Sequence, residues 1–164
     1  MTLTLILMRH AKSDWANPLM TDHDRPLNAR GERAAQAMGD WLRQGGWQPD
    51  EALVSTSERT RETWAGLGIT APVRFDSALY LAEPEDMWRV LHGAKGSCVL
   101  MLGHNPGIAE FAADLVAAPP DHDRFADYPT CATLIARFDA PGWDAVRPFT
   151  GQVVDFAVPR QFTD

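Results

Sequence analysis

Leu5-Ile6-Leu7-Met8-Arg9-His10-Ala11 is an apolar run that delivers an arginine and a histidine to its own end. An unbroken apolar run followed by loop residues predicts a buried parallel strand. In open α/β sheets, ligands bind just beyond the carboxyl ends of the strands. Arg9 and His10 therefore fall where chemistry is done. An arginine there can grip an oxyanion through two parallel hydrogen bonds, and a neutral imidazole beside it is a potential nucleophile.

Two further runs repeat the pattern. Ser97-Cys98-Val99-Leu100-Met101-Leu102-Gly103 ends in His104-Asn105-Pro106-Gly107, and Leu53-Val54-Ser55 leads to Arg59 and Arg61. Any one of these alone reads as an ordinary loop charge. Together they place a cation or an imidazole after each of three core strands.

Working outward, residues 29–44 carry Ala34, Ala35, Met38, Trp41 and Leu42 at helical spacing and stop at Gly45-Gly46. A short strand at 52–55 precedes a helix near 58–67. Val73-Arg74-Phe75 forms a weak strand leading to Leu79-Tyr80-Leu81 and a helix near 84–92. The run 97–103 is a strand. Asn105 is placed as an N-cap with Pro106 at the first helical position, opening a helix to about 117. Residues 118–130, rich in proline and aspartate, read as a loop. Strands at 133–138 and 152–158 close the chain, with Pro141-Gly142 between them. This alternation predicts an α/β fold in three layers, a mostly parallel central sheet with helices on both faces. One domain over 1–164 is expected.

The chain has 164 residues, 45% of them hydrophobic and 23% charged, which is ordinary for a globular protein with a core of its own. Its apolar runs are too short for a membrane span. The start lacks a basic signal-type segment, so the cytoplasm is expected. A net charge of −7 disfavours nucleic acid and anionic lipid as partners. Any anion site must then be a local positive pocket. Cys98 and Cys131 read as small buried thiols, and no zinc-type spacing occurs.

These residues reach a known pattern. Arg9-His10-Ala11 with Ser13, the segment Ser55 to Thr63 with Arg59 four residues before Thr63, and Gly103-His104-Asn105-Pro106 resemble the motifs of the histidine phosphatase (phosphoglycerate mutase-like) superfamily. Arg25-Pro26-Leu27-Asn28 with Arg30-Gly31, Leu79-Tyr80-Leu81-Ala82 and Tyr128-Pro129-Thr130 resemble its small SixA-type phosphohistidine phosphatases. The likeness runs from about residue 3 to about 160. Three positions depart from the pattern. Ala11 replaces the usual glycine, Glu62 stands where glutamine is common, and Asn17 falls one residue later than the asparagine of the mutase branch.

The resemblance implies a phosphoglycerate mutase-like fold and a cofactor-free phosphatase. His10 would accept the phosphoryl group, while Arg9, Arg59 and His104 would hold its oxygens. Such a reaction spreads charge over three equatorial oxygens, and fixed donors stabilise it. His10 must be neutral to attack, which a hydrogen bond from its other nitrogen to a backbone carbonyl would secure. Ser13, Arg25 and Glu83 are the substrate-binding candidates. Glu83 is the nearest candidate for a general acid and Asp14 a second one. Glu83 also reads as a carboxylate favoured by a helix dipole, and Arg25 as a surface ion pair. Because imidazole departs far more readily than an alkoxide, the weak signal for an acid points toward phosphohistidine.

The expected partner is thus a phosphorylated protein, one phosphorylated on histidine, or else a small phosphate ester. A small-molecule phosphomonoesterase and a non-catalytic phosphate-binding module are the alternatives. Asp22-His23-Asp24 and Asp121-His122-Asp123 resemble metal-binding runs, but they read as solvated loops, and no metal is expected. Trp41, Trp64 and Trp88 read as core. Trp15 reads as a possible pocket wall, His92 as a helix C-terminal dipole partner, and Arg61 as a solvated helix charge.

Overall fold

The computed structural model describes residues 1–163. The opening run forms β1 (Thr2–Arg9), followed by α1 (Ala29–Gln44), β2 (Glu51–Ser55), α2 (Glu58–Leu67), β3 (Val73–Asp76), α3 (Pro84–His92), β4 (Cys98–Gly103), α4 (Gly107–Leu115), β5 (Thr133–Asp139) and β6 (Gln152–Ala157). The six strands make one sheet in the order β3-β2-β4-β1-β5-β6. β1 pairs in parallel with β4, and β2 pairs in parallel with both β4 and β3. The late pair is antiparallel, β5 to β1 and β6 to β5. Arg9, Ser55, Asp76 and Gly103 thus end four parallel strands along one edge of the sheet.

β1 shows why its residues 5–8 are all apolar. Leu5 and Leu7 join a cluster with Met87 and Leu91 of α3 and Ile108 and Phe111 of α4. Ile6 and Met8 join the opposite cluster with Ala35, Met38 and Leu42 of α1 and Leu67 of α2. Side chains alternate between faces, and both faces are covered, so no position on the strand's centre is left for a polar residue. Burying a side chain of this size contributes about 1.5–3 kcal/mol.

α1 begins where it pins the loop after His10. The Asn28 carboxamide oxygen caps it, accepting from Gly31 N–H at 2.8 Å, and Asn28 N–H donates to the Lys12 carbonyl at 3.0 Å. A Cβ on Gly31 would lie 2.2 Å from that same carbonyl, so only glycine permits the approach.

Four details differ from the sequence reading. α4 starts at Gly107, because the Asn105 side chain is held outside the helix. Its Nδ2 donates to the carbonyls of Asp127 and Tyr128, while its Oδ1 still caps Ala109 N–H at 3.2 Å. α4 ends at Leu115, where Val116 turns to bridge Gly151. Trp41, Trp64 and Trp88 are half-buried and pack against the margin of the core. Cys98 is half-buried and Cys131 buried, both as free thiols. No helix among the described residues is long and apolar enough to cross a membrane.

Candidate active site

His10 sits immediately beyond β1, and three segments fix its backbone. Its N–H donates to the Gly103 carbonyl at 3.0 Å and its carbonyl accepts from Cys131 N–H at 2.9 Å. Ala11 N–H donates to Thr63 Oγ1 at 3.0 Å, and that hydroxyl donates to the Arg59 carbonyl at 2.7 Å. Thr63 therefore couples the helix carrying Arg59 to the loop carrying His10. This accounts for a threonine four residues after the arginine.

The side chain is held as closely. His10 Nδ1 lies 2.7 Å from the Ala11 carbonyl, which can only accept. Nδ1 therefore carries the proton, and Nε2 keeps its lone pair. The His104 ring stands 5.2 Å away, centroid to centroid. Its Nδ1 faces Arg59 Nη2 at 3.3 Å, and a guanidinium can only donate. The His104 proton is accordingly on Nε2, which donates to Ser55 Oγ at 2.8 Å. Burial pushes the His10 pKa down to about 3. The nearby Arg9 and Arg59 charges add to this and the Ala11 carbonyl opposes it. Burial likewise lowers His104 to about 3, with His10 and Arg59 reinforcing the shift. Both imidazoles are neutral at pH 7.

Arg59 projects from the first turn of α2, whose N-cap is Ser57. Its Nη1 donates to the Asp22 carbonyl at 2.6 Å and its Nη2 to Asp22 Oδ2 at 3.0 Å. Arg9 donates from Nη1 to the Tyr128 carbonyl at 3.2 Å. Its Nε is buried without a hydrogen-bond partner among the described residues. A buried guanidinium N–H left unpaired is costly, and Arg25 Nε is buried in the same way. Burial, followed by the charge of Arg59, lowers the Arg9 pKa.

His10, Arg9, Arg59 and His104 are thus brought together. The other candidates separate. Arg25 is buried, but its guanidinium donates to the carbonyls of Asp14, Asn17 and Met20 and lies 4.0 Å from the Trp15 ring centre. It neither touches the histidines nor forms a surface ion pair. A loop with so many unpaired carbonyls needs an internal donor, and Arg25 is that donor. Ser13 is buried and its hydroxyl accepts from Trp15 Nε1 at 3.0 Å. Trp15 itself is 63% exposed, so it shields the guanidinium of Arg25 rather than walling the imidazoles. Asp14 caps its own turn through Ala16 N–H. Glu83 is exposed just before α3, and the preceding Ala82 carbonyl packs where a Cβ on Gly107 would lie only 1.9 Å away. The Glu83 segment therefore borders the turn after His104. His92 meets the Val146 carbonyl at 3.1 Å, and Arg61 donates to the Thr56 carbonyl beneath Phe75.

Asp22 corrects the sequence reading most. It lies in a 3-10 turn (Asp22–Asp24), and its Oδ2 also accepts from Tyr80 OH at 2.5 Å. Burial opposes its ionisation, but hydrogen bonds from Tyr80 and Arg59 outweigh that and hold the carboxyl below its ordinary range. Tyr80 stands edge-on to His104, with centroids 5.4 Å apart. In the sequence Asp22 belongs to an Asp-His-Asp run that reads as a solvated loop, and Tyr80 to the Leu79-Tyr80-Leu81-Ala82 segment of the SixA-type likeness, with no role assigned to either. His23 turns to Thr56 Oγ1 at 2.9 Å, and His122 packs on Phe156 and Gln161. The side chains of the two Asp-His-Asp runs thus turn to other partners. No group of three or more His, Cys, Asp or Glu side chains able to hold an ion occurs among the described residues. A recess of about 180 Å³ opens on the flank of the His10 loop, lined by Lys12, Arg30, Arg124 and Arg160 but by none of the four central residues.

Two imidazoles and two guanidiniums stand beyond the ends of parallel strands in a three-layer α/β fold, a set of nitrogen groups suited to an oxyanion. The sequence profile of the histidine phosphatase superfamily (branch 1) matches residues 5–83. An uncharacterized protein of Mycobacterium tuberculosis is 37% identical, the match covering 93% of this chain and all of that one. A structure from Nakamurella multipartitia, provisionally assigned as phosphohistidine phosphatase SixA, is 30% identical with a TM-score of 0.84 over 97% of each chain. The protein histidine phosphatase SixA complexed with tungstate shares the fold at a TM-score of 0.81, with 18% identity over 98% of this chain and 100% of that one. The chain belongs to the histidine phosphatase superfamily, with the SixA-type proteins among its structural neighbours.

Proposed function

We propose that this protein is a phosphatase that hydrolyses phosphohistidine on a protein partner through a covalent phosphohistidine on His10. The observation that carries this is the pairing of His10 Nδ1 with the Ala11 carbonyl, which leaves the lone pair on Nε2 of a ring 5.2 Å from His104 and within the field of Arg9 and Arg59. In the first step Nε2 forms a bond to phosphorus while the bond to the leaving nitrogen breaks, its electron pair departing with that nitrogen. The guanidiniums of Arg9 and Arg59 hold the equatorial oxygens. An arriving phosphate dianion draws Arg59 Nη2 off His104 Nδ1 and favours protonation there, which makes His104 a third donor. Water then attacks phosphorus, the P–Nε2 bond breaks, and inorganic phosphate leaves. These residues suffice for both steps without a metal or cofactor.

Two observations support a macromolecular partner. The loops that deliver Asp22 and Tyr80 also carry Trp15, Leu19 (92% exposed) and Leu81 (56% exposed), exposed apolar side chains of a kind that protein partners cover. The structural neighbours assigned to the SixA type are named for phosphohistidine. A small-molecule phosphomonoesterase is the second reading, favoured by the Glu83 segment bordering the His104 turn. It requires an acid for an alkoxide leaving group.

Turnover of phosphohistidine and of sugar phosphates by wild type, His10→Ala and Glu83→Gln separates these readings. The proposal expects preference for phosphohistidine, loss of about 10⁴-fold or more on His10→Ala when the nucleophile is removed, and little effect of Glu83→Gln. Turnover that survives His10→Ala contradicts it. A preference for sugar phosphates abolished by Glu83→Gln favours the second reading.

A further inference from the structure

Asp22 is an anion placed inside an anion-binding site. Its Oδ2 takes both available donors, Arg59 Nη2 and Tyr80 OH, while Oδ1 accepts no hydrogen bond among the described residues. The side chain is 42% exposed. One nitrogen, Arg59 Nη2, touches both this carboxylate and His104 Nδ1. The groups facing Asp22 are Arg59 from α2, Tyr80 after β3, His104 after β4 and, further in, His10 after β1. Its own turn adds His23 and Asp24, whose Nδ1 and Oδ1 lie 3.8 Å apart.

For the phosphoryl dianion such a neighbour is unfavourable, because like charges at short range repel. Positioning Arg59 does not require it either. The Asp22 backbone carbonyl already holds Nη1 at 2.6 Å, and a neutral acceptor would hold Nη2. The charge and the free Oδ1 therefore call for a cationic N–H donor on the substrate. Phosphohistidine supplies one. When its imidazole is phosphorylated on one nitrogen and protonated on the other, the ring is cationic. Tyr80, edge-on to His23 at 4.8 Å and to His104 at 5.4 Å, gives that ring an aromatic wall.

We propose that Asp22 is the residue that selects a protonated imidazole as the leaving group, its Oδ1 accepting a hydrogen bond from the ring nitrogen opposite the phosphoryl group. This rests on the phosphohistidine reading above. As the P–N bond breaks, its electron pair stays on the departing nitrogen, and the ring, keeping its other proton, leaves as neutral imidazole rather than as an anion. No proton needs to pass to Asp22. The phosphoryl group forms its new bond to His10 Nε2, as already described.

The test compares wild type with Asp22→Asn on free Nε-phosphohistidine and on p-nitrophenyl phosphate across pH. Asparagine keeps an acceptor for Arg59 and Tyr80 but removes the charge. The expected result is a fall of about tenfold or more in kcat/KM for phosphohistidine, the scale of one hydrogen bond to a charged group. For p-nitrophenyl phosphate a rise is expected, since the repulsion is gone. The variant should also lose phosphohistidine activity at lower pH on the alkaline side, because it no longer favours the protonated ring. Equal losses on both substrates would show that Asp22 only positions Arg59 and would overturn the proposal, as would no change on either. A wild type that cleaves p-nitrophenyl phosphate but not phosphohistidine would refute the underlying reading instead, whatever the variant does.

Discussion

His10 and His104 are neutral because the fold buries them beside guanidiniums, and this has a consequence for stability. Their folded pKa values near 3 lie below the value of about 6.5 expected in an unfolded chain. The unfolded chain therefore takes up protons first as pH falls. The stabilisation from keeping these rings neutral is complete above about pH 6.5 and is lost progressively toward pH 3. Each imidazole costs up to about 1.4 kcal/mol per pH unit inside that window. Between pH 6.5 and 5, where most carboxylates remain ionised, the urea midpoint of wild type should fall, and that of His104→Gln should fall less. Equal slopes would count against the buried neutral pair. At this scale Arg9, His10, Arg59 and His104 were legible, because each follows an apolar run. Asp22, Tyr80 and Arg25 were not. Asp22 looked like any loop aspartate, and its partners lie 37 and 58 residues away. Arg25 looked available, but the carbonyls it satisfies become unpaired only once the 14–20 loop has its shape.

Among the elements, the segment between α4 and β5 has the least regular sequence and ties the most together. Tyr128 adopts φ 48°, and its carbonyl receives both Arg9 and the Asn105 carboxamide. Its hydroxyl, fully buried, donates to the Leu7 carbonyl at 2.5 Å and accepts from Leu134 N–H at 3.2 Å, two residues that face each other across β1 and β5. Tyr128→Phe leaves both backbone groups without that partner and should destabilise the protein by about 1–3 kcal/mol. A denaturation midpoint unchanged from wild type would contradict this role. Strands carried by unbroken apolar runs and helices with a clear period of 3.6 were readable from sequence. The start of α4 was misplaced by one residue, because Asn105 is held by contacts from residues 127 and 128 that no local pattern reveals.

Across the whole molecule, the parallel strands β1, β2 and β4 collect a net positive site on a chain of net charge −7. Arg9 and Arg59 lie at the centre, with Lys12, Arg30, Arg124 and Arg160 on the flank of the same loop. Against that net negative charge, a local cluster of cations raises the potential for an anion. The three-layer, mostly parallel architecture followed from the β/α alternation in the sequence. The two closing runs around Pro141-Gly142 form the antiparallel β5–β6 edge. What the chain's covalent order could not reveal is how closely four strand-end residues approach one another.

The most direct measurement is to quench wild type in denaturant during turnover of a radiolabelled phosphoryl donor and map the label on the polypeptide. The account predicts one acid-labile, alkali-stable phosphate on the peptide bearing His10, absent from His10→Ala. No label on wild type during active turnover, or a label that persists in His10→Ala, would contradict it.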